Sequence, residues 1–147
     1  MTEHIDAPAD VVYALVSDLP RMGEWSPENT GGEWVRGAKG PAVGAQFKGT
    51  NKNESKRWAT TCTVFEATPG AAFSFDVSVG PLKIARWSYH ITPSPDGGCD
   101  VTETWEDKRS ALMKPLGGFA SGVKDRKTFN EESMRTTLRN LKAAAEG

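Results

Sequence analysis

Cysteine and histidine are scarce, with two of each among 147 residues: Cys62, Cys99, His4 and His90. The cysteines match no CxxC or zinc-ligand spacing, so the sequence predicts no metal site and a reducing compartment. No apolar run reaches the roughly 18 residues that a membrane-spanning helix needs. The opening MTEHID lacks a charged segment followed by an apolar one. The expectation is a cytoplasmic chain without stable membrane insertion. Neither charge sign is in excess, with 18 Lys and Arg against 19 Asp and Glu and no long block of either, which predicts no nucleic-acid partner. A nucleophile triad, a phosphate loop and a nucleotide motif are all missing, so no cofactor is required. Tyrosine is also rare. Two Tyr stand beside five Trp and six Phe, so large apolar rings dominate. The length suits one domain over residues 1–147, which at this size buries roughly 70% of its unfolded surface.

Residues 2–5 can form a short strand, after which Asp6-Ala7-Pro8 supplies a turn and a first-turn proline. Val11, Val12, Leu15, Val16 and Leu19 recur at helical spacing, predicting a helix from about Pro8 to Ser17 that Pro20 breaks. A short second helix is expected within Arg21 to Asn29, before Thr30-Gly31-Gly32 turns the chain. From residue 33 the punctuation changes to short β-branched and aromatic segments separated by Gly- and Pro-rich turns. These predict strands near 33–38, 45–52, 57–67, 72–79, 83–93 and 99–107. The segment Ala111 to Gly122 holds Pro115, Gly117, Gly118 and Gly122 and reads as a loop or lid. A long helix is expected from about Val123 to Ala145, with Met134, Leu138, Leu141 and Ala145 on one face and Asn130, Lys127 and Val123 continuing it backward.

This order of elements is α+β, with helices segregated to one side of an antiparallel sheet. The runs Ile5-Asp6-Ala7-Pro8-Ala9-Asp10-Val11-Val12, Asp18-Leu19-Pro20-Arg21 and Glu24-Trp25-Ser26-Pro27 resemble the opening of START-like (SRPBCC) domains. More specifically, the chain is similar to the bacterial polyketide cyclase/dehydrase and lipid-transport group. Val43-Gly44-Ala45-Gln46-Phe47, Phe65-Glu66-Ala67-Thr68-Pro69-Gly70 and Val101-Thr102-Glu103-Thr104-Trp105-Glu106 carry the resemblance through the sheet. It implies a helix-grip fold, in which a curved sheet of six to seven strands wraps a long C-terminal helix. It also implies a cavity between them that accepts lipids, polyketides or other hydrophobic molecules.

Strand parity assigns faces within that frame. A hairpin centred near residue 96 pairs positions summing to about 192. Tyr89 then faces Glu103, Trp87 faces Trp105, and Ile91 faces Val101, all on the concave side. Glu103 among apolar neighbours is either an acid/base group or polar anchor, or a structural carboxylate bonded to Tyr89 or to a basic side chain. A sum near 139 through Thr68-Pro69-Gly70 sets Phe75 opposite Val64 and Val77 opposite Cys62, with Thr60 and Trp58 following inward. Cys62 is then a buried small hydrophobe rather than a nucleophile. His90 points outward, with Arg86 and Glu106.

The candidate catalytic pair is therefore Glu103 with Tyr89. Candidate ligand contacts are Trp25, Phe47, Trp58, Thr60, Phe75, Trp87, Trp105, Met113, Phe119, Asn130 and Met134, with Met113, Leu116 and Phe119 on the lid. Core packing is the alternative for Trp25, Trp58 and the lid residues. Three functions fit: binding or transport of a small hydrophobic ligand, a cyclase, dehydratase or isomerase acting on such a ligand, or a protein-interaction or stress-response module. A monomer or weak homodimer is expected. The whole reading requires a void where Met134 and Leu138 approach Phe75 and Trp87.

Overall fold

A computed structural model describes residues 1–114 and 121–147 of the chain. Strand β1 (Thr2–Ile5) leads into helix α1 (Ala9–Val16) and a 3-10 helix (Leu19–Glu24). Six strands follow: β2 (Asn29–Val35), β3 (Gln46–Asn53), β4 (Lys56–Thr68), β5 (Ala72–Val79), β6 (Leu82–Pro93) and β7 (Cys99–Asp107). Helix α2 (Arg126–Glu146) ends the chain. The strands form one antiparallel sheet in the order β1-β7-β6-β5-β4-β3-β2. Each neighbour from β2 to β7 is joined by a hairpin or short loop, and β1 closes onto the far edge beside β7. This is the α+β order that the sequence predicts, in the helix-grip arrangement that the family resemblance implies.

Both predicted hairpin registers are observed. Tyr89 pairs with Glu103, Trp87 with Trp105 and Ile91 with Val101, and Val64 pairs with Phe75 and Cys62 with Val77. A bulge between Val64 and Glu66 swings Phe65 outward, where it is 53% exposed and carries the Arg86 guanidinium over its ring at 3.6 Å. A second bulge lies in β6, where Ile84 is the extra residue between the pairs Val77 with Ala85 and Ser78 with Lys83. Bulges bend the strand that carries them, and these two help curve the sheet toward α2.

Two expectations near the β2 edge are corrected. The second helix is a 3-10 helix over Leu19–Glu24 rather than a helix within Arg21 to Asn29, because Pro20 suits its first turn. Thr30-Gly31-Gly32 lies inside β2 and does not turn the chain. Gly32 has φ +153°, and a Cβ there would collide with the Lys48 carbonyl oxygen and lie 2.7 Å from the Phe47 ring. The glycine is a seat for Phe47, which makes an edge contact with Trp34 at 5.5 Å. The β3–β4 hairpin is tighter than predicted. Asn53 pairs with Lys56 across Glu54-Ser55, and Glu54 takes φ +53° without any glycine to mark the turn.

Helix α2 starts at Arg126, three residues later than the periodicity suggests. Asp125 caps it, accepting the Thr128 backbone N–H at 3.2 Å and the Thr128 hydroxyl at 2.7 Å. Leu138 and Leu141 join α1 residues Val12 and Val16 and the strand residues Ile5, Phe73 and Val101 in one core. That core fills one end of the concave face solidly. Of the predicted lid, Met113 and Lys114 have helical backbone, whereas Leu116, Gly117, Gly118 and Phe119 lie outside the described residues.

Candidate functional site

The other end of the concave face is hollow. A cavity of about 280 Å³ lies between the sheet and α2, at the low end of the roughly 300–1,000 Å³ typical of small-molecule sites. Sheet residues Trp58, Thr60, Phe75, Trp87 and Trp105 line it, as the parity argument predicts, and the candidate contact Phe47 joins them from β3. Trp87 and Trp105 stack obliquely at 6.4 Å between ring centroids. Val77, Ile84 and Cys62 add apolar wall, and the 3-10 helix contributes Leu19 and Met22. Burial pushes the Cys62 thiol up to about 12, which leaves it protonated and poorly nucleophilic.

Glu103 and Tyr89 sit where the solid core meets the void, because the next inward pair along the two strands, Ile91 and Val101, is already packed. Glu103 is 2% exposed. Its Oε1 accepts the Tyr89 hydroxyl at 2.9 Å, while Oε2 has no partner. Burial raises the carboxyl to about 8, against the smaller opposing pulls of the Tyr89 hydrogen bond and the charge of the Met1 amino group. Burial also raises the Tyr89 hydroxyl well above its usual value, with the Glu103 charge acting in the same direction. At neutral pH both groups hold their protons.

From α2 the cavity receives Arg126, Asn130, Ser133 and Thr137. Asn130 is 2% exposed and its Oδ1, like Glu103 Oε2, lacks a partner. Toward the mouth, Arg126 Nη1 meets both Glu28 carboxylate oxygens at 2.9 Å and its Nη2 donates to Ser121 Oγ at 2.8 Å. Burial raises the Glu28 carboxyl, and Arg126 opposes that shift. Arg109 also borders the cavity and is held by Asp107 through two bonds of 2.9 Å.

Three candidate contacts do not line the void. Met134 is buried, but it belongs to the apolar stripe that α2 turns toward the core. At 100° per residue, this stripe is centred roughly 75° around the helix from the cavity-facing residues. Lys127, placed on the same face, is exposed. Trp25 is 1% exposed and works as a staple, its carbonyl oxygen accepting Asn140 Nδ2 at 3.0 Å across to α2. Met113 is half-buried outside the lining, and Phe119 falls among the residues that are not described. Residues missed beforehand include Arg126, Ser133 and Thr137. Their spacing with Asn130, at steps of four, three and four residues, is a helical period made of polar residues, and it was the available signal.

Among the described residues, one grouping has metal-ligand chemistry: His4, Asp6 and Asp96, close together on the surface near the β1 edge. There His4 Nδ1 contacts Asp100 at 2.8 Å and Nε2 contacts Asp6 at 3.1 Å, tying β1 to β7. His90 is exposed on the outer sheet face, and Arg86 there forms a two-pronged pair with Asp76.

The chain belongs to the polyketide cyclase/dehydrase and lipid transport family, whose model matches residues 1–146. Among solved structures, a polyketide-cyclase-like protein of Corynebacterium glutamicum is 30% identical, with TM-score 0.58 over 99% of this chain and 86% of that one. A START superfamily protein of Mycobacterium smegmatis is 16% identical, with TM-score 0.72 over 99% and 94%. The di-domain ARO/CYC protein StfQ from the steffimycin biosynthetic pathway is 18% identical, with TM-score 0.69 over 99% of this chain and 49% of that one. Among curated proteins, none matches. No helix among the described residues is long and apolar enough to cross a membrane.

Proposed function

We propose that this protein binds or carries a small hydrophobic ligand in the cavity between sheet and α2. The observation that carries this reading is the makeup of the cavity: aromatic and aliphatic walls, with a few buried polar atoms grouped on β6, β7 and α2. Walls of that kind bind by removing apolar surface from water, at about 25 cal/mol per Å² before ordering costs. Family membership supports the same class of ligand. Native mass spectrometry of the purified protein, paired with titration of an anilinonaphthalene dye, tests it. The expected result is a co-purifying apolar compound, or dye binding that Trp105→Lys abolishes while the circular dichroism spectrum is unchanged. Dye binding that survives Trp105→Lys undiminished, with no co-purifying compound, overturns the reading.

A second reading is acid/base chemistry on such a ligand, of cyclase, dehydratase or isomerase type. It is favoured by the protonated state of Glu103, since a buried carboxyl near 8 can give a proton at neutral pH and take it back. Tyr89 would position it. Turnover of a bound ligand that Glu103→Gln stops without weakening binding distinguishes catalysis from carriage.

A further inference from the structure

Two residues that line one cavity, Glu103 and Asn130, are each 2% exposed and each keep a buried oxygen, Oε2 and Oδ1, without a hydrogen-bond partner within the protein. Leaving a buried polar atom unmatched costs about 1–3 kcal/mol. An apolar site that keeps two of them is shaped to have them answered by its occupant. We propose that the ligand is an apolar molecule bearing a hydroxyl group, an alcohol or a phenol. Its O–H donates to Asn130 Oδ1, and its oxygen lone pairs, or those of a neighbouring carbonyl, meet Glu103 Oε2. This rests on the reading of the cavity as a ligand site and narrows what that site accepts.

The chemistry follows from which atoms hold hydrogens. Glu103 Oε1 already takes the Tyr89 hydrogen. At pH 7 the carboxyl is mainly the acid, because burial holds its proton, so the acid hydrogen resides on Oε2 and seeks an acceptor. Asn130 Oδ1 can only accept. The pair therefore asks for one acceptor and one donor. A ketone or ether alone answers Glu103 and leaves Asn130 bare. A hydrocarbon leaves both bare. An ammonium would need the ionised carboxylate, against the direction in which burial drives the group.

The test uses the full chain and three probes of one shape: 2-naphthol, 2-methoxynaphthalene and 2-methylnaphthalene. Affinities are measured by displacement of the anilinonaphthalene dye at pH 6. The expected order is naphthol at least tenfold tighter than the methyl ether, because the ether cannot donate, and the hydrocarbon weakest. In the Tyr89→Phe/Glu103→Leu double variant, which removes both ends of the polar pair, the advantage of the ether over the hydrocarbon should vanish. In Asn130→Ala the naphthol advantage over the ether should fall to within about twofold. A readout independent of any variant accompanies these: the Glu103 carboxyl carbon and the Asn130 side-chain amide should shift in NMR spectra with naphthol and not with methylnaphthalene. If all three probes bind equally well to the wild-type cavity, the cavity reading stands and the hydroxyl inference is overturned. If none displaces the dye, or the dye does not bind, both fall.

Discussion

The Tyr89 hydroxyl spends its one hydrogen on Glu103 Oε1, at 2.9 Å, and this bond decides which face of the carboxyl is left for the cavity. The two residues are directly opposed across β6 and β7, so the pairing register fixes the bond. Tyr89→Phe removes the donor without changing the ring. A buried acceptor is then left bare, and the expected cost is about 1–3 kcal/mol, read as a lower urea midpoint. The same variant should raise the Glu103 carboxyl further, since the hydrogen bond from Tyr89 favours its ionised form. NMR titration of the carboxyl carbon measures this.

Glu103 also predicts how stability varies with pH. Its folded value, about 8, lies above the ordinary 4.5, so between these the folded chain holds a proton that the unfolded chain has released. Stability falls as pH rises through that window and levels off above it. Between pH 4.5 and 7 the loss is roughly 3 kcal/mol, at about 1.36 kcal/mol per pH unit. His4 has the same sign. Its value is raised foremost by the Asp100 hydrogen bond, so its contribution is whole below pH 6.5 and is lost as pH rises through the folded value. Glu103→Gln should remove the largest part of the fall above pH 5, leaving the smaller contributions of Glu28, whose carboxyl burial also raises, and of His4 above pH 6.5. Denaturant midpoints measured from pH 5 to 9 for both proteins check this, and an unchanged slope in the variant contradicts it.

The sheet half of the site was legible in the sequence, and the helix half much less so. Strand parity has period two, and hairpin turns pin the register, so Phe75, Trp87, Glu103 and Trp105 could be assigned to one face by counting. The bulge at Phe65 falls between the Thr68-Pro69-Gly70 turn and the counted pairs and shifts the register by one residue. The count therefore matches the pairs from Val64 with Phe75 onward, while those beside the turn, such as Thr68 with Ala72, are offset from it. On α2 the apolar stripe drew attention to Met134, but the cavity takes the polar stripe beside it. Hydrophobic periodicity finds the side of a helix that packs against a core, and a hollow needs no such packing. The tightness of the β3–β4 turn was illegible for another reason: Glu54 adopts a left-handed conformation usually marked by Gly or Asn.

At the mouth, Arg126 and Glu28 are 16% and 15% exposed and bond each other at 2.9 Å. Two charges so far out of water depend on each other. Arg126→Met should strand the Glu28 carboxylate and cost about 3–5 kcal/mol. Adding Glu28→Gln should recover much of that loss, because the orphaned charge is gone. Urea unfolding at pH 7 of the two single variants and the double variant gives the coupling energy directly. A double variant as unstable as the sum of the singles would show that the two charges are not coupled.

Gly32 offers the severest single substitution outside the cavity. Nothing about its sequence context distinguishes it from a turn glycine, yet it lies within β2, paired with Gly49 of β3. Alanine there meets two obstacles at once. Its Cβ would enter the space of the Lys48 carbonyl oxygen and the Phe47 ring, and its φ of +153° is one that L side chains rarely adopt. The backbone strain costs about 1–3 kcal/mol and the overpacking a similar amount, so Gly32→Ala should lose about 2–5 kcal/mol. Phe47 cannot retreat freely, since it is 1% exposed and lines the cavity. A displaced Phe47 ring should therefore also weaken dye binding in whatever fraction stays folded. Gly37→Ala supplies the control: its φ is +79° but no atom lies within 4 Å of a Cβ placed there. It should lose only the strain contribution and keep dye affinity, and equal losses in the two variants would show that the Phe47 contact does not matter.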